Sequence, residues 1–220
     1  PQAIFAFTRQ HRGETRTWWT SARREFMAMA RIIPVLKLRV GALPLPVLLA
    51  SDAMGASEAD AGGFGVVARP VSDCEWREVF LKSRAVSRTV ARLEGAGLKY
   101  PEKVLATKPV SLVPTEIFEP SKWYPVDFGR WAYVDHITLG EGRALVRVVD
   151  ILSKLPQAWN RFAISFEDYS AVSGSFSKGR SAAPGLNYLC RRRAARCLSC
   201  GIRLLLPWTC LLYTSDAADE

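Results

Sequence analysis

The chain of 220 residues predicts an α/β fold, and three observations carry the prediction. Apolar runs of strand length end at acidic residues twice, at Ser51-Asp52 and at Glu167-Asp168. Segments with helical apolar spacing lie between and after them. The totals also permit a packed core, since 49% of residues are hydrophobic and 23% charged, ordinary proportions for a globular chain.

The first element falls in a basic N-terminal segment, residues 1–45, where Arg9, Arg12, Arg16, Arg23 and Arg24 stand among Trp18, Trp19 and Phe26. Residues 22–33 combine helical spacing with good helix formers, and Pro34 closes that helix. Its arginines form either a solvated face or a binding face. Val47-Leu48-Leu49-Ala50 is a continuous apolar run of the kind a buried central strand shows, and it leads straight into Asp52. That aspartate either emerges from the core as a functional carboxylate or caps its own turn. Residues 62–68 make a second strand, and 75–81, with Trp76, Val79 and Phe80, is read as a third, completing an antiparallel meander.

Residues 83–124 are less regular. The stretch 84–98 is compatible with a helix, and the proline-bearing 101–125 with a long surface connection. Trp123, Tyr124, Phe128, Trp131 and Tyr133 form either an aromatic cover over the core or a platform for stacked bases. The next helix spans 137–155, burying Leu145, Val148, Val149, Ile151, Leu152 and Leu155, with Glu141 near its start between Gly140 and Gly142. Residues 161–166 form a strand that delivers Asp168 to its carboxyl end, where α/β sheets place ligands. A short helix from Ser170 ends before Gly179, a longer one from about 182 or 186 runs to Cys200 and stops at Gly201, and 202–208 is the last strand.

Thirty Lys and Arg against twenty-one Asp and Glu give a net charge of +9, which points to a polyanionic partner. Five cysteines, an odd number with no early apolar signal sequence, argue against a disulfide framework and for a reducing intracellular compartment, cytoplasmic or nuclear. The most apolar region, 32–50, is interrupted by Lys37, Arg39, Pro44 and Pro46 and is no membrane span. Cys197 and Cys200 lack a second pair for zinc, and His136 reads as a helix-start or packing residue.

Asp52, Glu141 and Asp168 occupy equivalent places at the ends of successive elements. If those elements are neighbours the three carboxylates converge, and they repel one another unless a divalent cation sits among them. Hard oxygen ligands suit Mg²⁺ or Mn²⁺. Asp60 rivals Asp52 because it too precedes Gly-Gly-Phe-Gly, but it lies in a polar loop whereas an apolar strand runs into Asp52.

The matching pieces, in order, are Ala-Ser-Asp-Ala at 50–53 with Gly-Gly-Phe-Gly-Val-Val after it, and Asp-His-Ile-Thr-Leu-Gly-Glu-Gly-Arg-Ala-Leu at 135–145. Phe-Glu-Asp-Tyr-Ser-Ala-Val-Ser-Gly-Ser-Phe-Ser-Lys-Gly-Arg-Ser at 166–181 and Leu-Asn-Tyr-Leu-Cys-Arg-Arg at 186–192 follow. This series resembles the ribonuclease H-like domain that follows the reverse transcriptase in retroelement polyproteins. The resemblance implies a mixed five-stranded sheet over residues 46–208, three antiparallel strands and then parallel ones, flanked by helices. It also implies that Asp52, Glu141 and Asp168 are catalytic metal ligands for two ions about 4 Å apart. The substrate implied is the RNA strand of an RNA–DNA hybrid, and the partner is the reverse transcriptase region of the same polyprotein. Lys178, Arg180, Arg191, Arg192 and Arg196 lie beside the site as phosphate tracking requires, or else make a solvated face. Arg191, Arg192 and Arg193 fan around the helix, so one of them snorkels past Leu189 and Cys197.

Two departures qualify the resemblance. The family places a fourth acid a few residues beyond a tryptophan equivalent to Trp208, whereas here residues 209–220 read as translated adapter sequence, with Asp216 and Asp219 near the expected spacing by coincidence. No Tyr-x-Asp-Asp polymerase motif is present. The alternatives are a catalytically inactive relic of the same fold and an unrelated basic nucleic-acid-binding module.

Overall fold

The apolar run at 47–50 proves to be the middle of a longer strand. The computed structural model describes residues 2–35, 41–56, 61–84, 89–92 and 111–210, and the chain divides into two compact units, 1–40 and 41–220. The first unit holds helices α1 (Gln2–Gln10) and α2 (Thr20–Ile32). Ala22 of α2 is buried, and aromatic rings meet in this unit: Phe7 lies edge-on to Trp19 at 5.4 Å, and the exposed Trp18 and Phe26 lie edge-on at 5.1 Å.

The second unit runs β1 (Leu43–Met54), β2 (Gly63–Pro70), α3 (Asp73–Arg84), β3 (Thr89–Arg92), β4 (Ser111–Val113) and β5 (Tyr124–Arg130). It continues with α4 (Ile137–Lys154), β6 (Arg161–Phe166), α5 (Ser170–Lys178), α6 (Pro184–Cys200), β7 (Arg203–Leu205) and β8 (Trp208–Cys210). The main sheet has the order β5-β2-β1-β6-β7. β1 pairs antiparallel with β2, and β2 with β5, while β1, β6 and β7 run parallel. This is the mixed five-stranded α/β sheet, three antiparallel strands and then parallel ones, that the sequence leads one to expect. A small parallel sheet, β4-β3-β8, adjoins it where Glu167, just past β6, bridges to Trp208.

Pro44 and Pro46 are tolerated in a central strand because the ladder with β2 begins only at Val47, opposite Pro70. The parallel ladder with β6 is itself irregular between Pro44 and Leu48, so neither ring removes a bond that the sheet needs. Hydrophobic residues cover both faces. On one, Leu45, Leu49, Val66 and Ala163 pack against Leu145, Val148 and Leu152 of α4 and against Val172, Phe176, Leu186 and Leu189 of α5 and α6. On the other, Leu48, Ile164 and Phe166 meet Trp76 and Val79 of α3 and Ile117.

Three expectations need correction. Residues 75–81 are not the third strand but part of α3: Trp76, Val79, Phe80 and Ser83 follow helical spacing, and Ser72 and Glu75 form a reciprocal capping box. Ser72 N donates to Glu75 Oε2 at 2.9 Å and Glu75 N to Ser72 Oγ at 3.3 Å. The third strand is β5, which hid because it is an edge strand with few buried side chains and a bulge at Pro125–Asp127. Within 84–98, residues 89–92 are strand rather than helix, and 93–98 lie outside the described residues, as do Asp60 and 101–110 of the expected connection. The last strand, expected over 202–208, breaks at Leu206-Pro207 into β7 and β8, with Thr209 buried.

Candidate active site

The site begins with strand phase. Ala50 pairs with Phe166 in the parallel ladder, and Asp52 and Asp168 each follow two residues later, so both carboxylates leave on the same side of the sheet. Glu141 reaches them from the second turn of α4, whose start is capped by His136: its Nδ1 accepts from Thr138 N at 3.2 Å. His136 is thus a helix-start residue, one of the readings its sequence position allowed. Gly142 lets α4 lie close to α6, since a Cβ there would stand 3.0 Å from both Leu186 Cδ1 and Leu189 Cδ1. The glycines that weaken the helix start are in part the condition for placing Glu141.

One oxygen from each of Asp52, Glu141 and Asp168 lies within 4.8 Å of the others. Asp52 is exposed, Asp168 half-buried and Glu141 only 4% exposed. Burial, then the charges of Asp52 and Asp168, push the Glu141 carboxyl up to about 8, against a partly offsetting hydrogen bond from the Ala53 backbone. Burial and then Asp52 also raise Asp168. Asp52 Oδ1 accepts from Ala53 N at 2.8 Å.

The donor set fits a divalent cation. Glu141 Oε2 and Asp168 Oδ1 are buried without a hydrogen-bond partner, a state that costs of order 1–3 kcal/mol or more for each group unless something satisfies it. Three hard carboxylate oxygens from separate elements are what Mg²⁺ or Mn²⁺ takes, with remaining positions open to water or phosphate.

Behind the acids sits a pair that sequence reading missed. Ser51 and Glu167 occupy the opposite phase of the same two strands, and Ser51 Oγ donates to Glu167 Oε1 at 2.6 Å. Glu167 is 1% exposed, and burial raises its carboxyl well above the ordinary range despite the Ser51 bond. The signal was present: Ser-Asp and Glu-Asp end two apolar strands, so pairing the second residues in space also pairs the first.

The basic residues separate into two groups. Lys178, Arg180 and Arg191 are exposed, whereas Arg192 and Arg196 both pair with Asp150 of α4. Arg193 is the one that turns inward, donating to Phe176 O at 2.7 Å and stacking over the Phe176 ring. Among the aromatics, Trp123 packs against Phe166 and Trp131 lies 4.7 Å from Phe64, while Tyr124, Phe128 and Tyr133 are exposed.

No protein-family model and no curated protein sequence matches the chain. Among solved structures it is similar to the N-terminal ribonuclease H domain of Rv2228c from Mycobacterium tuberculosis, determined as a fusion with maltose-binding protein. The TM-score is 0.39 at 14% identity, over 74% of this chain and 81% of that one. Function is therefore argued from the site itself.

Proposed function

We propose that this chain is a divalent-metal-dependent phosphodiester hydrolase of the ribonuclease H type, acting on the RNA strand of RNA–DNA hybrids. We further propose that it comes from a retroelement polyprotein, with a reverse transcriptase region as its neighbour. One observation supports this above all: carboxylates of residues 52, 141 and 168 gather within 4.8 Å with two of their oxygens buried and unsatisfied. The retroelement origin rests on the ordered sequence pieces around those acids.

Asp52, Glu141 and Asp168 would hold the cation. Once bound, it would supply the Lewis acidity that generates a nucleophile from water at neutral pH and offsets charge on the phosphate. The protein's own part is positional. The parallel strands β1 and β6 fix Asp52 and Asp168 side by side, α4 holds Glu141 in a dry setting, and the Ser51–Glu167 bond ties the strands immediately behind the acids. Lys178, Arg180 and Arg191 offer charges to a passing backbone, while Arg192 and Arg196 would exchange Asp150 for phosphate.

The test is cleavage of a labelled hybrid with Mg²⁺ or Mn²⁺ by the protein and by Asp52→Asn, Glu141→Gln and Asp168→Asn. Wild-type cleavage of the RNA strand that each substitution abolishes is expected, and equal cleavage by all four proteins overturns the assignment. A second reading, binding without catalysis, is favoured by one feature: among the described residues the acid cluster holds three carboxylates and no fourth. It predicts hybrid binding with no metal-dependent product.

A further inference from the structure

The acid cluster opens on one side into a trough that the proposed chemistry does not use. Asp52 of β1, Gly65 of β2 and Phe128 of β5 are directly opposite one another in the two antiparallel ladders. Met54, Gly63 and Arg130 form the next row. Both rows share a phase, so their side chains rise from one face of the sheet. The middle strand contributes only glycines there, and the flanking side chains stand up on either side. Phe128 is 77% exposed and Met54 61%. The resulting cavity, about 470 Å³, is lined by these six residues with Phe64 and Gly129.

The two glycines do different work. A Cβ on Gly63 would stand 2.7 Å from Gly129 O, so that glycine allows the close approach of β5. A Cβ on Gly65 meets nothing within 4 Å. Gly65 therefore leaves a gap between Asp52 and Phe128 that its own backbone does not need.

We propose that this trough seats an unpaired nucleotide flanking the hybrid beside the acid cluster, with its base stacked on Phe128. Three features select that occupant. Asp52 belongs to both the trough and the acid cluster, so whatever lies in the trough has its next phosphate at the acids. An exposed aromatic ring beside an open floor accepts any base by its π-face. The volume falls in the range of small-ligand sites. This assignment rests on the nuclease reading for its direction of binding, but its test does not depend on cleavage.

The experiment uses the full chain in Mg²⁺ with a single-stranded RNA oligonucleotide, which is not the hybrid that the proposed activity cuts, carrying 2-aminopurine, whose fluorescence is quenched by stacking. Phe128→Ala, Phe128→Trp and Gly65→Val are compared with the wild type. Phe128 is exposed and Gly65 has room for a side chain, so the variants should melt with the wild type. Stacking on one aromatic predicts that Phe128→Ala weakens binding about tenfold and loses the quench. Phe128→Trp retains both, and Gly65→Val, which fills the gap, loses both. Wild-type affinity and quench in Phe128→Ala and Gly65→Val overturn the trough, as does a wild type that gives no quench. Hybrid cleavage by the wild type together with wild-type affinity and quench in Phe128→Ala and Gly65→Val would leave the nuclease standing while the trough falls.

Discussion

Glu141 is the side chain most at odds with its surroundings while no cation is bound. Its carboxyl titrates near 8 in the folded protein against 4.5 in the ordinary state, so the folded state holds a proton that the unfolded state releases. Stability from that proton is complete below pH 4.5 and is lost as pH rises through about 8. The window corresponds to on the order of a few kcal/mol, so the metal-free melting temperature should fall between pH 5 and pH 8, and Glu141→Gln should flatten the fall. Mg²⁺ acts in the opposite sense, since it binds the ionised carboxylates: its stabilisation should be larger at pH 8 than at pH 5. A metal-free melting curve indifferent to pH in that range would remove the buried-acid account. Glu167 behaves differently because it has a hydroxyl partner and no route to water. Glu167→Gln keeps the shape and an acceptor for Ser51, and should cost under about 1 kcal/mol. Glu167→Ala leaves a cavity and an orphaned hydroxyl, and should cost about 2–4 kcal/mol in chemical denaturation.

At the level of elements, the legible parts were those whose burial follows a simple period. The strand at 161–166 and the helices around 137–155 and 170–178 were readable because one face of each meets the core. Gly179 and Gly201, both with positive φ, end their helices where the sequence indicates. The first strand's acid was legible as well, although Asp52 lies inside β1 rather than beyond it. What failed was the third strand. β5 lies at the sheet edge with mostly exposed residues, so no alternation marks it, while Trp76, Val79 and Phe80 are residue types favoured in strands and mimic one despite Arg77 and Glu78 between them. The Ser72–Glu75 capping box was the discriminating feature. The same level yields a paired prediction at α4. Gly140→Ala and Gly142→Ala each recover about 1 kcal/mol of helix propensity. At Gly140 the new Cβ would be 3.5 Å from Ala53 Cβ, ordinary contact, whereas at Gly142 it would press on two buried leucines at 3.0 Å. Gly140→Ala should therefore raise the melting temperature and Gly142→Ala lower it. A rise for both would mean that α6 yields to α4 more easily than its buried leucines imply.

For the whole molecule, charge is the quantity that composition conveys and the fold redistributes. Residues 1–40 carry eight Lys and Arg against two Glu, which is +6 of the net +9. The unit containing the sheet, at 41–220, is thus only mildly basic, and within it Arg192 and Arg196 already face Asp150. In the N-terminal unit Arg23, Arg24 and Arg31 line one hollow on α2 with Thr20, Met27 and Ala28. The long-range attraction for a polyanion should reside mostly there, while the acids and both hydrophobic clusters belong to the sheet unit. Salt dependence separates these contributions, because each phosphate neutralised releases counterions and steepens the fall of affinity with salt. A chain beginning at Gly41 should keep its cation-dependent rise in melting temperature. For a hybrid oligonucleotide, its slope of log affinity against log salt should be about half that of the full chain or less. An unchanged slope would move the main electrostatic contact to Lys178, Arg180 and Arg191, and Arg191→Ala, little consequential in the first case, would then reduce it.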